Sequence, residues 1–143
     1  MFKAKDVMSS PVVWVPPTSR VIEAVKLMVE KNIGCVIVGG VNVFLPVEKL
    51  GILTERDITR LVADGRDIEN MAVAECMSTP FVTVDVDATL VEVSDIMVKH
   101  NFRRIPVVYA GKVVGIVTSK DVTRTLRYCR AKWIAEHKSD DKL

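Results

Sequence analysis

Gly51-Ile52-Leu53-Thr54-Glu55-Arg56-Asp57-Ile58 is answered by Gly115-Ile116-Val117-Thr118-Ser119-Lys120-Asp121-Val122, at an offset of 64 residues from Gly51 to Gly115. In both copies a short apolar run ends in Thr-x-x-Asp. That is the pattern of a strand giving way to a capped helix, in which the threonine accepts the amide three residues on and the aspartate accepts the threonine amide in return. Further out, Met8-Ser9-Ser10-Pro11 returns as Met77-Ser78-Thr79-Pro80, at an offset of 69 residues from Met8 to Met77. At this offset Glu23 meets Glu92, Met28 meets Met97, Asn32 meets Asn101 and Val38 meets Val107 without a gap. The chain is an internal repeat, and the difference between the two offsets gives the first copy five extra residues between Gly39 and Leu50.

Each copy reads in the same order. A β-rich segment, Val12 to Val15 or Phe81 to Val84, leads into a helix with apolar residues at helical spacing: Val21, Ile22, Val25, Met28 and Val29, then Leu90, Val93, Ile96 and Met97. Thr89 and Glu92 form a capping box at the start of the second of these helices. Two short apolar strands follow, Val36 to Val38 with Gly51 to Leu53, and Ile105 to Tyr109 with Val113 to Val117, the second pair turning at Ala110-Gly111-Lys112. A helix then starts at each Thr-x-x-Asp. The expected fold is α/β: two strand, helix, strand, strand, helix units whose small sheets pack on each other about a pseudo-twofold axis, with helices outside and equivalent clefts between the units. The expected boundaries are 1–69 and 70–125 for the repeats, with 126–143 as a basic amphipathic helix and polar tail.

Composition narrows the classes. In 143 residues, 49% are hydrophobic and 27% charged, a globular balance with room for one compact domain or two small half-domains. No apolar run approaches the roughly 20 residues of a membrane span, and Met1-Phe2-Lys3-Ala4-Lys5-Asp6 lacks the apolar core of a secretion signal. A cytoplasmic protein with no membrane partner is expected. Cys35, Cys76 and Cys129 are widely spaced and odd in number, which suggests neither disulfides nor zinc but small core residues. A formal charge of +2 does not by itself imply nucleic acid.

The opening Val7 to Pro11 and Cys76 to Pro80 segments, the Arg103-Arg104-Ile105-Pro106-Val107 strand and the two Gly-led Thr-x-x-Asp endings together resemble the CBS (cystathionine-β-synthase) domain family. The resemblance runs from Val7 to Val122. It implies a tandem pair that binds adenosine compounds in clefts between repeats, and two such modules stacking into a homodimer. It also implies a regulatory role, with AMP, ADP or ATP as the ligand ahead of S-adenosylmethionine or NAD, and a regulated protein partner.

Within that expectation the second repeat offers a group for each part of a nucleotide. The resemblance makes Asp121 the acceptor for the ribose diol. Thr118 brings a hydroxyl to a helix N-terminus whose free amides and dipole favour an anion, with Lys120 in the same turn. Arg103 and Arg104 can hold phosphate with paired guanidinium donors, although adjacent strand residues face opposite sides and only a local distortion would bring both to one phosphate. By similarity, Ile116, Val13 and Ile33 line the slot for the base. The first repeat has Gly34, Cys35 and Ile37 where the second has Arg103, Arg104 and Pro106. Its site, with Asp57, Thr54, Arg56, Ile52, Val82 and Phe102, is expected to be the weaker, and Glu55 adds a like charge against phosphate. The alternative for either Thr-x-x-Asp is a purely structural cap, and the alternative for the two arginines is a solvated strand edge.

After Asp121, Val122, Leu126, Cys129 and Trp133 make one helical stripe, and Lys120, Arg124, Arg127 and Arg130 make a basic one. That helix is expected to pack on its own core or on a partner module, with a polyanion as the sharper alternative; no nucleic-acid fold signature accompanies it. The apolar loop Val41 to Val47 is expected to pack on its own core in preference to a dimer surface. His100 falls at a polar helix end, where a solvated role is expected. No nucleophile elbow, zinc-protease helix or phosphate-binding glycine loop is present, so the chain is not expected to be an enzyme and neither a catalytic cofactor nor a metal is expected.

Overall fold

The computed structural model describes residues 1–40 and 46–138. The elements in chain order are α1 (Ala4–Val7), β1 (Trp14–Val15), α2 (Val21–Lys31), β2 (Cys35–Val38), β3 (Gly51–Thr54), α3 (Glu55–Ala63), β4 (Val84–Asp85), α4 (Leu90–His100), β5 (Arg104–Tyr109), β6 (Lys112–Thr118) and α5 (Ser119–Glu136). This is the mixed α/β order expected, with two three-stranded sheets, β1-β2-β3 and β4-β5-β6. The first strand of each repeat is shorter than its apolar run. β1 pairs only at Trp14 and Val15 before Pro16-Pro17, which can donate nothing to a ladder, and β4 only at Val84 and Asp85. The extra residues of the first repeat end in a 3-10 turn at Val47–Lys49. Of the apolar loop, 41–45 lies outside the described residues.

The chain divides into two compact units. One holds Pro11–Val82 with Ala110–Val113; the other holds Met1–Ser10, Thr83–Tyr109 and Val114–Leu143. In the first, β1 runs parallel to β2, as a helical crossover through α2 demands, and β2 runs antiparallel to β3 with Cys35 opposite Thr54 and Val38 opposite Gly51. Val21, Ala24 and Met28 of α2 pack with Val36, Val38, Leu53, Leu61 and Val73 in its core. In the second, β4 runs parallel to β5 with Val84 opposite Val107. Val93 and Met97 of α4 bury against Ala4, Ile105, Val107 and Val117. Burial of such a side chain stabilises the fold by roughly 1.5–3 kcal/mol.

The repeated asparagines have a backbone reason. Asn32 and Asn101 end α2 and α4 in the left-handed region, at φ 52° and 55°, where asparagine is tolerated better than most residues. Their amides return to Met28 and Val29, and to Met97 and Val98. Thr89 and Glu92 form the expected box at the start of α4, with Thr89 N donating to Glu92 Oε2 at 3.0 Å and Glu92 N to Thr89 Oγ1 at 3.2 Å.

One expectation needs correction, and a second is narrowed to its partner-module form. Cys35 is buried and Cys76 part-buried, but Cys129 is exposed and is no core residue. The stripe it belongs to is not covered by the chain's own core either: Val122 packs on it, while Leu126 and Trp133 are 63% and 49% exposed. The buried side of α5 is instead polar, with Asp121 and Thr125, and Thr125 Oγ1 donates to the Asp121 carbonyl at 2.9 Å. Helical spacing shows which residues share a face; it does not show that anything lies opposite. No helix among the described residues is long and apolar enough to cross a membrane.

Candidate functional site

The two Thr-x-x-Asp motifs adopt the same reciprocal cap. Asp121 Oδ2 accepts the Thr118 amide at 2.8 Å and the Thr118 hydroxyl at 2.9 Å, and Thr118 Oγ1 accepts the Asp121 amide at 3.2 Å. In the first repeat Asp57 Oδ2 accepts the amide and hydroxyl of Thr54 at 2.9 and 3.0 Å, and Thr54 Oγ1 accepts the Asp57 amide at 3.3 Å. Each threonine has therefore spent its one hydroxyl proton, and toward any further group it can only accept. The Ser119 amide is used as well, donating to the Arg103 carbonyl at 2.8 Å, as Glu55 N does to Gly34 O at 3.1 Å. What the cap itself leaves unused in each motif is the second carboxylate oxygen of its aspartate.

Asp121 is 6% exposed, so its charge is held by these donors and by one guanidinium: Arg124 Nη1 lies 3.5 Å from Oδ1. The sequence reading placed Arg124 only in the basic stripe and not beside Asp121; its i,i+3 spacing from Asp121 is the signal that could have found it. Asp121, Arg124, Thr125 and Tyr128 of α5 line an open groove of about 450 Å³ with Phe2, Asp6 and Val7. Phe2 meets Tyr128 edge to face, with ring centroids 6.1 Å apart.

The N-terminal side of this groove is the larger omission of the sequence reading. Ala4 N donates to Ala88 O at 2.8 Å, Lys5 N to Val86 O at 3.0 Å and Leu90 N to Phe2 O at 3.0 Å, which lays the first residues of the chain along the connection from β4 to α4 and the start of α4. Lys5 Nζ reaches Asp87 Oδ1 at 2.9 Å and Lys3 Nζ reaches it at 3.5 Å. The hydrogen bond and charge of Lys5 hold the Asp87 carboxyl below its ordinary value, and Asp87 raises Lys5 in return. Ser9 and Ile116 exchange backbone hydrogen bonds at 2.9 and 3.1 Å, and Ser78 and Ile52 do the same at 2.9 and 3.0 Å. Each Met-Ser motif is thus zipped to the strand that ends in the other repeat's Thr-x-x-Asp.

The remaining expected residues are distributed as follows. Ile116 and Thr118 share one face of β6, with Lys120 exposed in the first turn of α5. Arg103 is exposed and Arg104 part-buried at the start of β5. Val13 and Ile33 belong to the other unit, where both pack against its core. In that unit Ile52 and Thr54 share a face of β3, Arg56 is exposed, and Asp57 and Val82 are part-buried. Phe102, assigned to the same site, belongs with the second repeat and is 38% exposed, stacked on His100 at 5.1 Å. His100 is itself exposed. No group of three metal-ligating side chains occurs among the described residues.

Comparison with known proteins agrees with this architecture. The chain is 37% identical over 123 residues to the CBS domain-containing protein YhcV of Bacillus subtilis, covering 85% of this chain and 84% of that protein. It resembles the hexameric CBS-CP12 protein from bloom-forming cyanobacteria with a TM-score of 0.80 at 28% identity, over 98% of this chain and 84% of that one. It also resembles the CBS domain pair of protein MJ0100, solved in complex with 5′-methylthioadenosine and S-adenosyl-L-methionine, with a TM-score of 0.76 at 29% identity, over 89% and 97% of the two chains. The CBS domain profile matches twice, at residues 4–64 and 73–128, one match to each repeat. The chain belongs to the CBS domain family, as a tandem CBS pair.

Proposed function

We propose that this CBS pair is a non-enzymatic regulatory module that takes the ribose of an adenosine nucleotide at Asp121. The observation that carries the reading is the Asp121 carboxylate: almost fully buried, with one oxygen consumed by the helix cap and the other facing an exposed guanidinium beside an open groove. A buried charge with one replaceable donor is suited to a ligand hydroxyl, since losing Arg124 to the ligand leaves the carboxylate still satisfied. The adenosine compounds bound by the MJ0100 pair support the ligand class. Arg103, Arg104 and Lys120 supply the cations that favour AMP, ADP or ATP over S-adenosylmethionine or NAD. The Asp57 site, lacking the paired arginines, is the weaker of the two.

Regulation requires that the ligand bind two conformations, or two partner states, with different affinity. A homodimer fits the helical surface. Val29 and Val98 hold the same position in the two repeats and are 76% and 83% exposed, an apolar feature repeated on both units. Thermal-shift measurement with AMP, ADP, ATP, S-adenosylmethionine and NAD, repeated on Asp121→Ala, tests the reading. Stabilisation by at least one ligand, abolished in the variant, is expected; no stabilisation by any of them refutes it.

One observation favours a second reading, a constitutive interaction subunit: both Thr-x-x-Asp motifs are complete caps without any ligand. On that reading Asp121→Ala lowers stability by about 1 kcal/mol and changes no ligand response.

A further inference from the structure

The two repeats carry the same triad in sequence, Thr54, Asp57 and Arg60 against Thr118, Asp121 and Arg124, and the same cap. They differ in the arginine. Arg124 Nη1 lies 3.5 Å from Asp121 Oδ1, whereas among the described residues Arg60 makes no ion pair with Asp57. The pair in the second repeat is lopsided: the Asp121 side chain is 7% exposed and that of Arg124 is 68% exposed. The arginine can withdraw into water at little cost. The carboxylate cannot, and keeps Thr118 as its permanent donor.

From this we infer that Arg124 gates Asp121. The cap consumes Oδ2, so Oδ1 is the oxygen a ligand hydroxyl must take, and Arg124 already occupies its approach. Binding exchanges one guanidinium donor for hydroxyl donors. The groove beside it gives the displaced side chain somewhere to go, and Asp6, which lines the same groove, offers it a second carboxylate. Arg124 is thus a residue that sets the affinity of this site without contacting the bound ligand, and the first repeat lacks the device. The inference rests on the reading of Asp121 as the diol acceptor.

A gate made of an ion pair whose cation is exposed has a signature that direct recognition lacks. Salt screens the pair and so weakens the competitor. A neutral diol ligand then binds more tightly as salt rises, opposite to the behaviour of a site that attracts its ligand by charge.

The test is titration calorimetry of adenosine, which carries no phosphate, on the full chain and on Arg124→Ala, Arg60→Ala and Asp121→Ala, each at low and high salt, with melting curves to confirm folding. The exposed guanidinium keeps most of its contact with water and gains little from the pair, so Arg124→Ala is expected to tighten adenosine by up to about fivefold. It should also remove the salt-dependent gain seen in the unmodified chain, and Arg60→Ala should change neither. Unchanged or weaker binding in Arg124→Ala overturns the gate while leaving the nucleotide reading intact, provided Asp121→Ala abolishes binding. Absence of adenosine binding in the unmodified chain and Arg124→Ala alike overturns the gate, and it overturns the nucleotide reading as well only if AMP, titrated in parallel, also fails to bind.

Discussion

The Met8 side chain lies against the α-carbon of Gly115, so close that a methyl group at position 115 would collide with the Met8 thioether. Gly51 and Met77 stand in the same relation in the other unit. Neither glycine has a left-handed backbone; each is needed because the methionine occupies the place of a side chain. Gly115→Ala is therefore expected to lower unfolding stability by about 1–3 kcal/mol, the usual cost of overpacking. Met8→Ala in the same chain should recover part of the loss, because the long flexible side chain is the clashing partner. Chemical denaturation of the two single variants and the double variant measures the coupling; strict additivity would contradict it.

The caps set a second expectation. Thr118→Val and Thr54→Val each remove an acceptor for the N3 amide and a donor to the aspartate, and each should destabilise the fold by about 1 kcal/mol. The loss at Thr118 should be the greater, because Asp121 is more deeply buried than Asp57 and tolerates an unpaired oxygen less well.

The N-terminal segment provides a pH dependence. The hydrogen bond and charge of Lys5 keep the Asp87 carboxyl below the ordinary 3.8. A carboxyl depressed in the folded state stabilises fully above its unfolded value, and that contribution disappears as the pH falls below it. Lys5 is raised above the ordinary 10.5, so its share persists below that value and is lost as the pH climbs past it. Asp87→Asn should accordingly lower stability slightly at neutral pH, and not at all in strong acid or at high salt. Urea melts of both chains across pH would show the difference closing at each end.

The three thiols should separate by reactivity. Cys129 is exposed and should react with a disulfide reagent at once, whereas Cys35 is buried and should wait for unfolding. Cys76 lies between: burial first, and then the charge of Asp57, push its thiol above the ordinary 9.0, so little thiolate is present near pH 8. Three kinetic phases, Cys129 first, Cys76 second and Cys35 last, are expected from a time course resolved by mass spectrometry.

Much of this architecture can be read from the sequence because backbone requirements repeat along with it. Asn32 and Asn101, Thr89 with Glu92, and the two Thr-x-x-Asp motifs mark helix ends whose geometry few other residues satisfy. The contribution of the first ten residues escapes such reading. α1 has only four residues, too few to show a period, and its hydrogen bonds to Val86 and Ala88 are backbone ones, for which no side chain is diagnostic. Arg124 was visible as a charge on α5 but not as the partner of Asp121, because i,i+3 spacing permits a contact without requiring it. The exposed Leu126 and Trp133 show the converse limit: an apolar stripe is a demand for a partner, and this chain's own core does not meet it.

The exchange of Met-Ser segments bears on how such a chain could have arisen by duplication. The stretch that is copied, beginning at each Met-Ser-x-Pro, is not the stretch that closes on itself as a compact body. Met8 fills the notch at Gly115 and Met77 the notch at Gly51, so in each compact body the methionine and the glycine it covers come from different copies of the repeat. A cut placed at the repeat boundary would therefore part Met8 from Gly115, whereas a cut placed at the boundary of the compact body would not.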